Sequence, residues 1–431
     1  MIPLQQIGTA LVPMHGIASR HDLPLPFPLV LAGSGIALAV SVLLLWFAWR
    51  TPKLDRLHGR PLPRLGRLLD APVFRFLIRL LVFGTWTIAA AALVAGQDRM
   101  TNPVFGFLFA WVWVGLVPLS VLFGPLWRAT NPLRSVQGVL YRLLRRDPTR
   151  GFVNLPARLG VWPASVGLLA FIWFELVEPN RTTLATLQGW ALFWLVATLG
   201  GALVFGSGWI AAADPFEAYA STVAELSPLR RVDGAWTLVN PLRGLMAAEP
   251  PAGAGAVVCV LLGGTAYDSF SNSSVWIGWV QSSTAPPELW GTGGLLAFVA
   301  IVSVCWLLAT DGRPRRWAPT ATPILVGYAI AHYFSLLVVE GQRTAIQFSD
   351  PLGLGWNLFG SAEMGVNAAL FDHPVVTAIV QLAGILIGHV LGIVAAHEKA
   401  VQWGLGRARQ LPMVAVMIFF TCSGLLLLFS P

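Results

Sequence analysis

Long apolar runs separated by short polar segments dominate the pattern along this chain. Ten of these runs hold about twenty residues each, the length that an α-helix needs to cross a lipid bilayer. They fall at 27–49, 76–96, 104–126, 159–177, 184–206, 252–268, 289–309, 318–340, 374–397 and 411–430. The pattern predicts an all-α protein, a polytopic bundle of about ten transmembrane helices.

Composition leads to the same class of protein. Hydrophobic residues make up 56% of the 431 positions, charged residues only 11%, and the mean hydropathy is +0.69. Soluble domains of this size are less apolar and more charged. We therefore predict a short external segment, 1–26, followed by one helical membrane domain, 27–431, with the lipid bilayer as its partner.

The basic residues predict the orientation of the bundle. Twenty-three of the 28 Lys and Arg residues fall in the loops that follow odd-numbered runs, most of them in 50–75 and 127–158. Cytoplasmic loops are enriched in Lys and Arg, so these loops are predicted to be cytoplasmic. Both termini and the loop 341–373 are then external. Orientation accounts for the net charge of +8, and no nucleic-acid partner is expected.

Two inner segments resemble each other, FGPLWRATNP (123–132) and FGSGWIAAADP (205–215), and each leaves an apolar run at its inner end. A duplicated helical hairpin or a chance likeness would both explain this. The basic stretch LRSVQGVLYRLLRR (133–146) is typical of a helix lying on the inner membrane surface, or of a plain cytoplasmic connector.

An ionisable residue inside an apolar run points to function. His332 lies within the eighth run, and ionisable groups at membrane depth usually face a bundle interior or a wet cavity. The outer ends of runs four, six and eight carry Glu175, Asp268 and Glu340, with His332 roughly 12 Å below Glu340. The topology predicts either a funnel that opens outward, or acids that are hydrated at the interface and have no further role.

Two external segments, 15–26 and 341–360, are predicted to cover this funnel as a lid. The second contains DPLGLGWN, irregular backbone that is tolerated near hydrocarbon only where it is buried or lines a wet cavity. Carboxylates and imidazoles at such a site suit a divalent metal or an acid–base pair. The candidate catalytic residues are His332, Asp350, Glu340, Asp268 and Glu175, and the candidate metal ligands are His332, Asp350, His15, His21 and Asp22.

Haem and nucleotide cofactors are not expected. The ninth run contains GILIGHVLG (384–392), whose small residues at a spacing of four are typical of closely packed helices. His389 is therefore predicted to pack between helices and not to bind haem. The chain has no Walker A, HExxH or GxSxG motif, and no GxGxxG between a strand and a helix.

Five segments taken together resemble the bacterial integral membrane proteins called fenitrothion hydrolases. These are HGIASRHDLPLP (15–26), FELVEPNR (174–181), AHYFSLLVVEGQ (331–342), SDPLGLGWNLFG (349–360) and GHVLGIVAAH (388–397). The resemblance implies hydrolysis of the aryl ester bond of an apolar organophosphorus triester in the bacterial cytoplasmic membrane. It also suggests a second membrane protein as a component. It assigns no catalytic residues.

Two functions are consistent with these residues. In a hydrolase, a metal-bound or carboxylate-activated water would attack phosphorus in the funnel. In a multi-pass transporter or a metal-handling membrane subunit, the same polar groups would line a substrate path. Hydrolysis by the purified protein in detergent, where no gradient exists, separates the two.

Reporter fusions test the predicted orientation. An enzyme that is active only outside the cytoplasm should be inactive when fused at Arg60 or Arg145 and active when fused at the C-terminus, because the basic loops remain inside. Reporter activity at Arg60 and Arg145 would contradict the prediction.

Overall fold

The computed structural model describes residues 20–429. In that range nine helices are long and apolar enough to cross a membrane, and a tenth span is a pair of helices bent by 40°. We number them α1 Phe27–Ala48, α2 Pro72–Ala95, α3 the bent pair Pro103–Val114 and Leu116–Phe123, α4 Trp162–Leu176, α5 Leu184–Phe205, α6 Ala254–Ser271, α7 Pro287–Ala309, α8 Pro314–Gln347, α9 Pro374–Gln402 and α10 Arg407–Leu428. The predicted all-α polytopic bundle is confirmed.

Shorter elements occupy the connections. The helices are Arg20–Asp22, Pro63–Asp70, Leu126–Thr130, Pro132–Leu143, Ala157–Leu159, Ser207–Ala213, Pro215–Val223, Ala224–Leu226, Pro241–Met246, Ser274–Ser282 and Ala369–Asp372. Three strands, β1 Gly59–Pro61, β2 Leu229–Val232 and β3 Ala235–Val239, form an antiparallel sheet in the order β1-β3-β2, with Arg60 opposite Leu238. The sheet joins the α1–α2 loop to the α5–α6 connection, two segments predicted to lie on the same side.

Helix α8 lies at the centre of the bundle and α2 at its edge. Within their most apolar windows, 67% of α8 is buried but only 11% of α2. The exposed side chains of α2 are apolar, among them Phe76, Leu80 and Phe83. Apolar surface of this extent needs a lipid environment. The side chains of α8, in contrast, contact other protein groups along most of the helix.

Four helices begin with the same local motif. Asn102, Asn131, Asp214 and Asn240 each precede a proline, and each side chain accepts a hydrogen bond from the backbone N–H two residues later. The cap satisfies an N–H that the helix leaves unpaired, and proline at the first position has none to satisfy. These helix starts are therefore set locally by the sequence.

The two similar inner segments have similar structures. Gly124 and Gly206 end the preceding spans with φ of 80° and 77°, a conformation that favours glycine. A short helix and a capped proline follow in both segments, and Asn131 Nδ2 donates to Asp214 Oδ2 over 2.6 Å. Burial raises the pKa of Asp214 to about 6. The likeness in sequence is therefore accompanied by a likeness in local conformation.

The segment that contains Pro215–Val223 enters the bundle. The Phe216 ring lies 5.1 Å from that of Phe171 in α4 and 5.9 Å from that of Trp194 in the middle of α5, measured between centroids. The helix Pro132–Leu143 also packs on α5, where Tyr141 Oη donates to the carbonyl oxygens of residues 202 and 203. Both connecting segments therefore pack against the membrane-spanning helices α4 and α5.

Helices α8 and α9 approach each other at three glycines. A Cβ added to Gly327 would lie 2.3 Å from the carbonyl oxygen of Gly384, and one added to Gly388 would lie 2.7 Å from that of Pro323. Only a residue without a side chain fits such a contact. His389 is buried beside it and its Nδ1 donates to the Ile385 carbonyl over 2.9 Å. The predicted packing role of His389 is confirmed.

A side chain at this contact should destabilise the fold. Gly388→Val should lower the apparent melting temperature of the detergent-solubilised protein, because overpacking typically costs about 1–3 kcal/mol. Gly33→Val in α1 is the matched control, since its Cβ would meet no atom within 4 Å. Equal melting of Gly388→Val and the parent protein would contradict the close contact.

Candidate active site

Helices α6 and α8 bring Asp268 and His332 together in the interior. The imidazole Nε2 lies 2.8 Å from Asp268 Oδ2, and the two residues are 3% (His332) and 2% (Asp268) exposed. A buried carboxylate needs a hydrogen-bonding partner because burial disfavours its charge. Two of the predicted catalytic residues therefore form one buried pair.

Asp268 is held by further donors. The Tyr333 hydroxyl donates to Oδ2 over 3.1 Å, and Asn272 Nδ2 donates to Oδ1 over 3.3 Å. Hydrogen bonds to a carboxylate favour its ionised form. The fixed carboxylate in turn holds the ring of His332 in one orientation, as the aspartate of a catalytic triad does.

The other imidazole nitrogen contacts a hydroxyl group. Ser269 Oγ lies 3.3 Å from His332 Nδ1, and Ser269 is half-buried in the last turn of α6. When the hydroxyl donates to Nδ1, the Nε2–H donates to Asp268, so this network selects one neutral tautomer. Hydroxyl, imidazole and carboxylate stand in the order that links a nucleophile, its base and the group orienting the base.

Glu175 adds a second carboxyl group from α4. It is 7% exposed and interacts electrostatically with Asp268. Within the described part of the chain its Oε2 has no hydrogen-bond partner. A buried oxygen without a donor costs free energy. This oxygen is a position where a proton or a substrate donor would be stabilised.

The structure places Glu340 apart from this cluster. Helix α8 continues to Gln347, so residues 341–347, predicted as loop, are helical. Glu340 Oε1 lies 3.6 Å from the guanidinium of Arg343, one turn further along the same helix. An ion pair within one helix needs no catalytic explanation.

Asp350 is also distant from His332. The helix between His332 and Gln347 alone rises by roughly 22 Å. The Asp350 carboxylate accepts hydrogen bonds from the backbone N–H groups of Leu354 and Gly355, over 2.9 and 2.8 Å. Asp350 therefore does not lie beside His332, and its carboxylate holds the conformation of its own loop. Its role in catalysis stays a prediction.

The candidate metal ligands are dispersed. His15 lies outside the described residues. His21 and Asp22 belong to the turn Arg20–Asp22, which is joined to the outer end of α10 by a bond of 2.7 Å from Arg20 Nε to the Phe429 carbonyl. Across residues 20–429, no three His, Cys, Asp or Glu side chains gather where they could hold a metal ion. The predicted ligand set is not assembled in this part of the chain.

A cavity of about 350 Å³ lies at the N-terminal ends of α4, α6 and α8, which are predicted to face the cytoplasm. Its polar lining consists of Arg128, Glu217, Ser221, Thr222 and Glu225. Arg134 binds both carboxylate oxygens of Glu217, so that charge is paired. These acids were not among the candidates because they lie in a segment that the sequence predicts to be a cytoplasmic loop.

Glu225 is the acid of this cavity whose pKa is shifted most clearly by its surroundings. Its Oε2 accepts a hydrogen bond of 3.3 Å from the Thr322 hydroxyl. Burial raises the pKa of Glu225 to about 7, although the charges of Arg230 and Lys399 and the bond from Thr322 oppose this. The group therefore changes its charge near neutral pH.

Aromatic rings connect the cavity with the His332–Asp268 pair. Tyr219 shares the helix Pro215–Val223 with the cavity residues, and its ring centroid lies 5.0 Å from that of Trp113. Trp113 lies 6.5 Å from Tyr333, the neighbour of His332. The connection is a layer of buried aromatic side chains.

Ser269, Asn272 and Tyr333 were not identified as candidates from the sequence. The available signal was the polar run YDSFSN at the outer end of α6, in which hydroxyl and amide residues surround Asp268. Tyr333 carries no such signal, because one tyrosine beside a histidine in an apolar helix is ordinary core composition.

The chain matches no protein-family model, no curated protein and no solved structure in comparisons with known proteins.

The titration of Glu225 should appear in the stability of the protein. A carboxyl whose pKa is higher in the folded state contributes stability that is complete below its unfolded value of 4.5 and is lost as pH rises through about 7. Between about pH 5 and pH 8 the parent protein should lose on the order of 1–3 kcal/mol more than Glu225→Gln. Thermal melting across this range measures the difference. The exposed Glu249→Gln is the control and should follow the parent, and the same pH profile in all three proteins would contradict the assignment.

Proposed function

We propose that this protein hydrolyses the aryl ester bond of apolar organophosphorus triesters in the bacterial cytoplasmic membrane. The observation that carries the proposal is the buried pair of His332 and Asp268, with 2.8 Å between Nε2 and Oδ2. The motif resemblance supports the substrate class. It also suggests a second membrane protein, which we include in the proposal.

In this proposal His332 is the general base. It takes the proton of the nucleophile that attacks phosphorus, a role that typically accelerates a reaction by about 10²–10⁴-fold. Asp268 orients the ring and stabilises the imidazolium that forms. Tyr333 and Asn272 keep Asp268 in place through their hydrogen bonds.

The surroundings of the pair suit an apolar aryl substrate. Phe270, next to Ser269 at the outer end of α6, packs against Trp276 and Phe298 with centroid separations of 5.4 and 5.2 Å. Aromatic side chains bind aryl groups through offset or edge contacts. A triester that has partitioned into the bilayer would meet these rings before it reaches His332. Glu175, whose Oε2 has no hydrogen-bond partner in the described residues, would donate a proton or a hydrogen bond to the substrate when it is protonated.

A second candidate function is transport, and the inner cavity favours it. A cavity of about 350 Å³ on one side and a buried polar cluster on the other, connected by the aromatic layer of Trp113, Tyr219 and Tyr333, resemble the closed gate of an alternating-access carrier. In this function, Glu225 and His332 would exchange protons with opposite sides of the membrane.

Activity of the purified protein tests the first proposal. The parent protein in detergent should release the phenol from fenitrothion, and His332→Ala should lower kcat/KM by about 10²–10⁴-fold, because the general base is lost. Absorbance of the released nitrophenolate measures the rate. His373→Ala, which changes an exposed histidine of the outer loop, is the matched control and should retain the parent rate.

Equal rates for His332→Ala and the parent would overturn the assigned base. The transporter would be favoured if the well-folded parent protein did not hydrolyse fenitrothion but took it up into proteoliposomes when a pH gradient was applied.

A further inference from the structure

We infer that Ser269 is the nucleophile and that catalysis passes through a covalent phosphoryl-serine. This inference rests on the proposed function and extends it, since the sequence argument considered only an activated water. On this inference the protein would be a serine hydrolase whose reacting groups lie in membrane helices.

The contact that carries the inference joins α6 to α8. Ser269 Oγ lies 3.3 Å from His332 Nδ1, and Nε2 of the same ring lies 2.8 Å from Asp268 Oδ2. One ring nitrogen thus faces a hydroxyl group and the other faces a carboxylate. Catalytic nucleophiles are recognised by this linkage and not by their position in the sequence.

Ser269 is also the accessible residue of the three. His332 and Asp268 are buried, whereas Ser269 is half-buried in the last turn of α6, beside Phe270. Of the three residues, only Ser269 is partly exposed, so a reagent from the surface would meet this residue before the two buried ones. A buried imidazole beside a partly exposed hydroxyl can deprotonate that hydroxyl but is itself shielded from attacking the substrate.

Neighbouring serines have structural contacts that distinguish them from Ser269. Ser271 Oγ donates to the carbonyl oxygen of Asp268 over 2.9 Å. Ser273 caps the helix Ser274–Ser282 by accepting a hydrogen bond from the Trp276 N–H. Their contacts stabilise the end of α6 and the start of the next helix.

The chemistry balances in two steps. In the first, Ser269 Oγ forms a bond to phosphorus, the bond from phosphorus to the aryl oxygen breaks, and the aryloxide leaves with the electron pair. His332 takes the serine proton and passes it to the aryloxide, giving the phenol. In the second, water attacks phosphorus while His332 takes its proton, the bond from phosphorus to Ser269 breaks, and the serine oxygen recovers that proton. One water is consumed, and the products are a phenol and a phosphodiester.

Covalent labelling of the purified full-length protein tests the inference. Diisopropyl fluorophosphate should add one diisopropylphosphoryl group per chain with loss of fluoride. Peptide mass spectrometry of samples quenched in acid within the first turnover, before water removes the group, should locate it on Ser269. His332→Ala should slow labelling by about 10²-fold or more, because the base is missing. Ser269→Ala should show no adduct and should hydrolyse the aryl triester about 10³-fold more slowly or worse. Ser282→Ala, an exposed serine, is the control and should be labelled like the parent.

The possible outcomes separate this inference from the proposed function. Hydrolysis by Ser269→Ala at the parent rate would overturn the nucleophile and leave the hydrolase proposal standing. An adduct on Ser269 in a protein that does not cleave the aryl triester would support the nucleophile and refute the proposed substrate. No adduct, or an adduct elsewhere, would overturn the inference even if Ser269→Ala failed to fold, because labelling is measured on the parent protein.

Discussion

The hydrogen bond between His332 and Asp268 is the interaction on which the proposed site depends. It joins two membrane helices through groups that are both nearly fully buried. Inside a bundle, a polar group that loses its partner costs about 1–3 kcal/mol, and a charged group costs more. The pair therefore constrains the position of α8 against α6 and at the same time fixes the orientation of the imidazole.

The opposite side of α8 has a different constraint. Gly327 allows α9 to approach so closely that backbone atoms of the two helices touch. A central helix held by close packing on one face and by a polar network on the other has little freedom to rotate. Preorganisation of this kind is what an acid–base site requires, because a small displacement of the base removes most of its effect.

The bent span α3 is irregular backbone at membrane depth. Helix α3 is bent after a π-helical stretch, Phe107–Val114, and Pro118 shortly after it cannot donate a backbone hydrogen bond. Such irregular backbone is tolerated at membrane depth where protein covers it. Gly106 lies directly against Thr344 of α8, and most residues of the π-helical stretch are buried.

The sequence was sufficient to predict the spans and to single out His332, Asp268 and Glu175, because burying an ionisable group in an apolar run is costly enough to be informative. It did not predict that Asp350 would be separated from them, because that depends on where α8 ends. The apolar run was taken to end at Glu340, although no proline follows His332 within the helix and α8 continues to Gln347. The sequence likewise could not predict the hydrogen-bonding partners of Asp268 and His332.

Ser269 and Tyr333 reach the site through the packing of α6 on α8. The hydrophobic pattern of neither helix predicts this contact. The inner cavity was missed for a related reason: Glu225 lies in a connection whose polar composition is typical of a loop, although that connection folds into the bundle.

A double-mutant cycle on hydrolysis by His332→Ala, Asp268→Ala and the double variant tests the central claim most directly. If the two residues act as one unit, the double variant should be no slower than the slower single variant, because the second change removes nothing that the first has left. Rate losses that multiply in the double variant would show that the residues act independently and would contradict the account.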